Sequence, residues 1–478
     1  MQAPDARRIA ALWWAACILV LVPAQMGPAV EPAGPTSRPA GSKYLLLDSR
    51  VVERATNAQR VLGTVRKEPR NPLFVEDKPW EVRFDNLYPN ILYDEDERLY
   101  KCWYSPFIVC EATTRTPLER RKSVRYEPKH REMAVCYAVS RDGLAWEKPD
   151  LGITEFEGSK ANNIVLRRVH GAGVRKDAHD PDAARRYKLF CNDGEFMGVA
   201  FSRDGLHWSE VRHCPEMQAV GDTHNNAFWD ERTRRYVGFT RLWKDGQRIV
   251  GRTESEDFLH WTPAVEVLRG TPQRQTYAMP VFPYAGLYLG LLMILDDKTD
   301  CVDCELAWSP DTVHWERVCE GRPLIPRGPK GSFDWGCIYA AADPIFTGDE
   351  IRLYYSGGDD THVSWRRTGL GLARLRPDGF AGLEPVDPGR AAVVVTRPVI
   401  CTGRRLRLTA DARGGSIRVE IAGLAGFDAS TCEPVVADVT DAAVTWSGVE
   451  TLEGLRGRAI QLIFHLRSAR LYAFRFSD

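Results

Sequence analysis

The chain has 478 residues, of which 44% are hydrophobic, so it is long enough to bury a large core. Its 64 basic residues balance 64 acidic residues, and no overall field exists that would attract nucleic acid or an anionic membrane surface. An uncharged partner fits this balance better.

The first 24 residues have the features of a secretory signal. Arg7 and Arg8 precede an apolar run from Ile9 to Val22, and Val22-Pro-Ala24 provides a cleavage site of small residues. The run is about 14 residues long, short of the roughly 20 that a membrane-spanning helix needs. We therefore expect a secreted or periplasmic protein with no membrane span after cleavage. Residues 25–42, rich in Pro, Ala and Gly, are expected to form a flexible linker.

A short pattern, Ser-x-Asp-x-x-x-Trp, recurs along the chain at intervals of roughly 50 to 60 residues, the length of one four-stranded antiparallel sheet. The Asp of each copy can cap its own backbone and the Trp can pack between sheets, so we assign these residues a structural role. Five units predict an all-β fold, a five-bladed β-propeller over residues 43–388. The copies are Ser140–Trp146, Ser202–Trp208, Ser255–Trp261, Ser309–Trp315 and a weaker fifth at Arg376–Phe380.

After Pro388 apolar and polar residues alternate with period two, as in Arg405–Ala410, Ser416–Ile421 and Leu471–Phe476. This alternation predicts a small β-sandwich over residues 389–478. No segment of useful length has the helical period, which argues against dinucleotide-binding folds and α/β hydrolases because both need crossover helices.

Twelve cysteines are unusual for an exported protein, and no disulfide map follows from their spacing. Cys301-Val-Asp-Cys304 is spaced like half of a zinc or redox site. It lies in a predicted strand with no second pair, so we interpret it as structural. We expect no metal and no cofactor.

Polar residues mark the innermost strands, which line the axis of a propeller. Counting ten residues back from the first tyrosine of each second strand gives polar residues in four of the five blades. We therefore expect a polar site at one mouth of the channel. The positions are Asn90, Asp177, Asn226 and, with a shift of one residue, Asp343.

Asp85, Asp222 and Asp334 precede inner strands by a few residues, and aromatic residues stand close to them. Carboxylates supply acid and base for acetal cleavage, while aromatic faces hold the C–H side of a sugar ring. The sequence therefore predicts a carbohydrate site. Its candidate binding residues are Asn86, Tyr88, Asn90, His224, Asn225, Asn226, Asp334, Trp335, Tyr339 and Asp343, with Trp80 as a further stacking surface.

The predicted architecture resembles the five-bladed glycosidases of the invertase and levanase family (glycoside hydrolase family 32) and the related family 43 group. Where invertases carry Asn-Asp-Pro, Arg-Asp-Pro and Glu-Cys, this chain has Phe84-Asp85-Asn86, Arg175-Lys176-Asp177-Ala178 and Gly221-Asp222-Thr223-His224. The resemblance implies a glycoside hydrolase with Asp85 as base or nucleophile, Asp177 as stabiliser and Asp222 as general acid. His224 is an alternative proton donor. Because the motifs differ, fructan specificity is not implied.

Two other functions stay open. A carbohydrate-binding propeller without catalysis would show the same repeats and aromatics. A sialidase-like enzyme is suggested because the repeat resembles the sialidase Asp-box, but that fold has six blades and a triad of arginines. This sequence shows five units and scattered arginines.

Overall fold

The structure is a computed structural model that describes residues 42–123, 129–449 and 451–478. The predicted signal segment and all but the last residue of the predicted linker lie outside the described residues. The described part is nearly all β. Its helices are one short α-helix, Glu111–Thr114, and the 3₁₀ turns Ser49–Val51, Leu118–Ser123, Ala183–Arg185, Pro215–Met217 and Glu453–Leu455. None of the described helices has the length and apolar character needed to cross a bilayer.

Three consecutive antiparallel sheets follow the order of the repeats, each with its first strand innermost. Sheet 1 contains Asn90–Asp94, Leu99–Tyr104, Arg131–Ser140 and Ile164–Arg167, with Phe107–Cys110 beside its third strand. Sheet 2 contains His170–Lys176, Tyr187–Asn192, Met197–Ser202 and Arg212–His213. Sheet 3 contains Asn226–Asp230, Arg235–Lys244, Gln247–Ser255 and Val265–Arg269.

Two further sheets continue the series and are joined by one parallel pair, Val302 with Cys337. Sheet 4 contains Arg274–Ala278 and Val281–Tyr284 innermost, then Leu287–Asp296, Cys301–Ser309 and Glu316–Val318. Sheet 5 contains Cys337–Ala340 and Ile345–Phe346 innermost, then Ile351–Gly358 and Thr368–Leu375. Its outer strands, Arg66–Lys67 and Phe74–Val75, come from the start of the described chain.

The five sheets form a closed ring, as expected of a propeller. The inner strand of sheet 2 contacts those of sheets 1 and 3, and Ile345–Phe346 of sheet 5 contacts Asn90–Asp94 of sheet 1. We name the two ends of the ring by the direction of the inner strands. The start rim is the end at which Asn90, His170 and Asn226 begin their strands, and the end rim is the end at which Asp94, Lys176 and Asp230 finish them.

The repeated turns have the structural role predicted for them. In the second copy, Asp204 Oδ1 accepts hydrogen bonds from the backbone N–H groups of Leu206 and His207 at 2.8 and 2.9 Å. The same pair of bonds recurs at Asp142, Asp257 and Asp311. Trp103 of sheet 1 donates to the Gly205 carbonyl at 2.6 Å, so this turn also fastens sheet 2 to its neighbour.

The late strands form two antiparallel sheets around one apolar core, the arrangement expected of a sandwich. Phe464 and Phe474 meet across this core with ring centroids 5.5 Å apart. Sheet 6 contains Lys43–Leu45, Ala58–Leu62, Ala381–Pro385, Arg405–Asp411, Asp438–Ala443 and Arg470–Ser477. Sheet 7 contains Val52–Thr56, Ala392–Thr396, Ser416–Ile421 and Leu462–Arg467, and a separate pair joins Val399–Ile400 to Ala459–Ile460.

The unit boundaries differ from the predicted ranges 43–388 and 389–478. Strands between Lys43 and Leu62 pair with Arg470–Ser477, Ala381–Pro385 and Ala392–Thr396, so they belong to sheets 6 and 7. The reason is long-range strand pairing, which leaves no local trace in the sequence because period-two patterning fits either sheet.

The cysteines are structural in this fold. All the described cysteines carry free thiols, and only Cys319 among them is not fully buried. Cys301 and Cys304 lie in one strand of sheet 4, and burial raises the pKa of each thiol. Within the described ranges, no group of three or more His, Cys, Asp or Glu residues is arranged to hold a metal ion.

Candidate active site

The segment before the first inner strand has an unusual backbone. Asp85, Leu87 and Tyr88 have φ angles of 55°, 60° and 44°, in the left-handed region that residues other than glycine rarely adopt. Surrounding contacts hold this conformation: Thr368 donates to the Asp85 carbonyl at 2.9 Å, and the Ser105 N–H donates to the Leu87 carbonyl at 2.7 Å. Strained backbone held in this way is typical of functional sites. It fixes Asp85 at the start rim.

Asp85 is an ionised carboxylate held by two buried arginines. Its Oδ1 atom lies 2.7 Å from Arg83 Nη2 and 3.3 Å from Arg366 Nη2. Burial raises the pKa of Asp85, but the two guanidinium groups outweigh burial and bring it to about 2. The side chain keeps 12% of its surface exposed. Asp85 therefore presents a fixed negative charge at the channel mouth.

Asp222 lies in the segment that leads into sheet 3, and 55% of its side chain is exposed. Its Oδ1 atom is 2.8 Å from His170 Nε2, and its Oδ2 atom is 3.4 Å from Arg241 Nη1. Desolvation raises the pKa of Asp222, but His170 and Arg241 outweigh it, and the net shift is downward. The general acid predicted here needs a raised pKa, so the structure does not place Asp222 alone in that role.

Tyr277 of sheet 4 connects these two groups. Its hydroxyl accepts a hydrogen bond from Asn86 at 3.0 Å and lies 3.0 Å from His362 Nε2. The Arg241 guanidinium lies over its ring, 4.2 Å from the centroid. Residues from all five sheets and their connections thus form one polar network, because Arg366 and His362 come from sheet 5 and His170 from sheet 2.

A cavity of about 370 Å³ opens beside Asp222 and His170. This volume lies within the range of small-molecule sites. Its wall combines apolar surface with charged and amide groups, a mixture that suits a polyol. The lining residues are Phe107, Arg131, Glu132, Met133, Arg168, Val169, His170, Asn192, Asp193, Gly194, Val220 and Asp222.

Asp177 does not join this site. It directly follows Lys176, which pairs with Tyr187, just as Asp94 follows Tyr93, which pairs with Tyr100. Asp177 is therefore the end-rim counterpart of Asp94, although counting residues aligned it with Asn90. The count failed because the connection from Asp177 to Tyr187 is longer than its counterpart in sheet 1.

The aromatic residues predicted to stack on sugar differ in exposure, because the two tyrosines are buried whereas Trp80 and Trp335 are half-buried. Tyr88 and Tyr339 lie in the network, their ring centroids 6.3 Å apart, but both side chains are fully buried. Trp80 precedes the inner strand of sheet 1, and its indole N–H donates to Asn163 Oδ1 at 2.8 Å. Trp335 stands before the inner strand of sheet 5, where its carbonyl accepts from Arg327 at 2.6 Å.

The asparagine and histidine residues predicted to bind the substrate lie inside the fold beneath the start rim, where the asparagines hold strands and loops together. Asn90 donates to the Ala172 carbonyl at 2.8 Å, Asn226 to the Val281 carbonyl at 3.1 Å, and Asn225 to the Gly221 carbonyl at 2.8 Å, so each ties one strand or loop to another. Burial lowers the pKa of His224 to about 3. His224 is therefore neutral near pH 7 and is a poor proton donor, in contrast to the role predicted for it.

Asp334 and Asp343 have other partners. Asp334 pairs with Lys67 at 2.5 Å and accepts from the Tyr355 hydroxyl at 2.9 Å, which places it against the outer strands of sheet 5. Asp343 forms an ion pair with Arg175 of sheet 2. Neither carboxylate is a member of the polar network around Tyr277.

Sequence reasoning missed much of this network, namely Arg83, His170, Arg241, Tyr277, His362 and Arg366. One signal was present: His170 occupies the first position of an inner strand, where polar residues converge. The three arginines are buried, and their guanidinium groups bind Asp85, Asp222 and backbone carbonyls such as those of His362 and Tyr277. They serve the carboxylates of the site, so their clustering does not favour the sialidase-like interpretation.

No protein-family model matches the sequence, and no curated protein is found to match it. Among solved structures, a glycosyl hydrolase from Bacteroides ovatus is 14% identical and aligns over 65% of this chain and 94% of its own, with a TM-score of 0.46. The catalytic domain of an α-L-arabinofuranosidase from Coprinopsis cinerea is 12% identical over 66% and 97%, also with a TM-score of 0.46. An N-acetylgalactosamine deacetylase from F. plautii is 15% identical over 67% and 96%, with a TM-score of 0.41. At such values, residue roles have to be argued from the site itself.

Proposed function

We propose that the protein is a glycoside hydrolase that cleaves its substrate at the start rim, with Asp85 and Asp222 as the working carboxylates. The observation that carries the proposal is the pairing of two carboxylates in unlike surroundings at one channel mouth. Asp85 is almost enclosed and fixed by two arginines, whereas Asp222 is half exposed in the wall of a cavity. Unlike environments are what allow two carboxylates to take different roles.

Asp85 supplies negative charge to the sugar carbon. Because its pKa is about 2, it is ionised at any ordinary pH and can stabilise or attack an oxocarbenium-like carbon. Arg83 and Arg366 also fix the direction of the carboxylate, which reduces the reorganisation needed during the reaction.

Asp222 and His170 together handle the proton of the leaving oxygen. They lie 2.8 Å apart and both line the cavity, so the pair can hold one proton between them and deliver it to the glycosidic oxygen as the C–O bond breaks. Water then adds to the sugar carbon and returns a proton to the pair. The balanced reaction is glycoside plus water giving a hemiacetal sugar, which carries the new reducing end, and the alcohol of the leaving group.

The test is release of reducing ends from a panel of arabinans, fructans, mannans and their oligosaccharides by the full chain. Asp222→Asn should abolish most of the release. Glu256→Gln removes an exposed carboxylate at the opposite end of sheet 3, where it pairs with Arg235, and should leave the release unchanged. NMR of the first product anomer then tells a nucleophilic Asp85 from one that activates water.

Saturable binding of a glycan without any product would instead make the protein a carbohydrate-binding propeller. Absence of both binding and release across the panel would contradict the proposal. We also propose that the protein works outside the cytoplasm, on the basis of the apolar run at Ile9–Val22. Recovery of the uncleaved chain from the cytoplasm of its host would contradict that part.

A further inference from the structure

The hairpin of sheet 3 extends beyond the start rim. The inner strand of this sheet begins at Asn226, which pairs with Phe239, whereas the second strand continues to Lys244. The hairpin closes through Asp245 and Gly246, both with positive φ, as a two-residue hairpin turn requires. The tip of the hairpin therefore projects past the start rim.

One face of this hairpin points toward the proposed active site. Successive side chains on a strand alternate between faces, so Arg241 and Trp243 lie on the same face. Arg241 contacts Asp222 and the ring of Tyr277, which fixes that face as the one toward the site. Trp243 thus stands on the active-site side of the hairpin, beyond Asp222.

Trp243 is exposed and yet held in place. The residue has 53% of its surface exposed, and its indole is the largest of the exposed aromatic rings in the described part of the chain. Arg248 is its cross-strand partner and lies over the indole, 4.7 Å from the ring centroid. Arg248 is itself anchored to sheet 4 because its Nη1 atom donates to Gln275 Oε1 at 3.1 Å. The result is an aromatic surface in a fixed position.

We propose that Trp243 is a binding platform for a sugar ring of the substrate chain, next to the residues that are cleaved at Asp85 and Asp222. An exposed indole binds the C–H face of a pyranose or furanose ring, and the adjacent guanidinium can donate hydrogen bonds to ring hydroxyls. The ligand class rests on the proposed function, while the position rests on the hairpin geometry. The platform implies a substrate that is an oligosaccharide or polysaccharide rather than a single sugar with a small leaving group.

The chain provides a matched control. Phe346 is another exposed aromatic residue, but it lies at the end of the inner strand of sheet 5 and therefore at the end rim. It stacks on Tyr284 with ring centroids 5.0 Å apart. Removing Phe346 changes exposed aromatic surface at the opposite mouth without altering the start rim.

The experiment measures binding of linear arabino-, fructo- and manno-oligosaccharides of increasing length by calorimetry. Asp222→Asn serves as the hydrolysis-silent parent, and Trp243→Ala, Trp243→Phe and Phe346→Ala are added to it. We expect Trp243→Ala to weaken binding of the longer chains about tenfold, which corresponds to about 1.4 kcal/mol. Monosaccharide binding should not change, and Trp243→Phe should retain most of the affinity. Phe346→Ala should behave like the parent.

The inference is overturned if Trp243→Ala binds every chain length as the parent does, if Phe346→Ala loses as much affinity, or if none of the oligosaccharides binds. Its failure is separable from failure of the proposed hydrolysis. Reducing-end release by the wild-type chain tests the reaction, whereas the length dependence of binding tests the platform.

Discussion

The two rims of the ring carry aspartates with different surroundings. At the end rim, three sheets place an aspartate at the same strand position, and each accepts from a tyrosine of the next sheet. These pairs are Asp94 with Tyr187 at 3.1 Å, Asp177 with Tyr236 at 2.7 Å and Asp230 with Tyr288 at 2.5 Å. At the start rim, Asp85 and Asp222 have no such equivalence: one binds two arginines and the other a histidine and an arginine. A carboxylate that recurs in successive sheets with the same kind of partner holds neighbouring sheets together. A carboxylate whose partners do not recur in the other sheets is a candidate catalytic group.

Asp222→Asn gives the largest effect expected from this comparison. Loss of the carboxylate that works with His170 should lower turnover at least a hundredfold. Stability should fall less than in Asp177→Asn, because more than half of the Asp222 side chain is already in solvent and the buried Arg241 keeps its hydrogen bonds to the Tyr277 carbonyl. Steady-state kinetics and a urea unfolding curve on the same sample measure both quantities. Full activity in this variant would remove Asp222 from the mechanism.

Asp177→Asn should show the opposite behaviour. Asp177 lies 3.0 Å from the buried Lys188 ammonium. Replacing Asp177 by asparagine removes this carboxylate and leaves Asp180 as the acidic partner of Lys188. We expect the free energy of unfolding to fall by about 3 kcal/mol. Turnover per folded molecule should stay unchanged. A stable protein with lost turnover would return Asp177 to the active site.

Glu76→Gln tests the support behind the Asp85 segment through pH. Burial raises the pKa of Glu76 to about 7, against an ordinary value of 4.5, while its Oε1 atom accepts from the Phe84 N–H at 3.1 Å. The folded chain holds this proton more tightly than the unfolded chain, so wild-type stability falls as pH rises from about 4.5 to 7. Glutamine keeps the acceptor without the charge. The variant should therefore be more stable than wild type by up to about 3 kcal/mol at pH 8 and equal to it at pH 4. Thermal melts across this range measure the difference, and parallel curves would contradict it.

Asp204→Ala gives the smallest effect. It removes two backbone hydrogen bonds from one of the four equivalent turns, which should lower the free energy of unfolding by about 1 to 2 kcal/mol. Turnover should not change. Denaturant titration measures the loss, and a drop in turnover at unchanged stability would mean that the repeat aspartates act in function.

The order of the sheets could be predicted because its signal is local. The repeat marks one turn in each sheet, and the hydrogen bonds of Asp142, Asp204, Asp257 and Asp311 lie within the turns themselves. Two features could not be predicted. One is that the strands Arg66–Lys67 and Phe74–Val75 complete sheet 5, and the other is that the strands between Lys43 and Leu62 belong to sheets 6 and 7. Both depend on pairing between residues about 300 or more positions apart, and a short strand carries too little information to name its partner.

The site was predictable in part. Asp85, Asn86 and Asp222 stand just before inner strands, and the structure brings them into one polar network. Asp177 was misplaced because an insertion in a connecting turn shifts the count. His362 and Arg366 were missed because they come from the connection between the second and third strands of sheet 5, where sequence alone does not show which way a loop folds.

The most direct test of the account is a crystal structure of the Asp222→Asn protein soaked with an oligosaccharide that the wild type cleaves. We expect the glycosidic oxygen to lie within hydrogen-bond reach of residue 222 or His170, the adjoining sugar carbon to face Asp85, and a further ring to lie on Trp243. A sugar chain bound at the end rim beside Asp177, or in the cleft lined by Arg374, Glu384 and Tyr472, would contradict it.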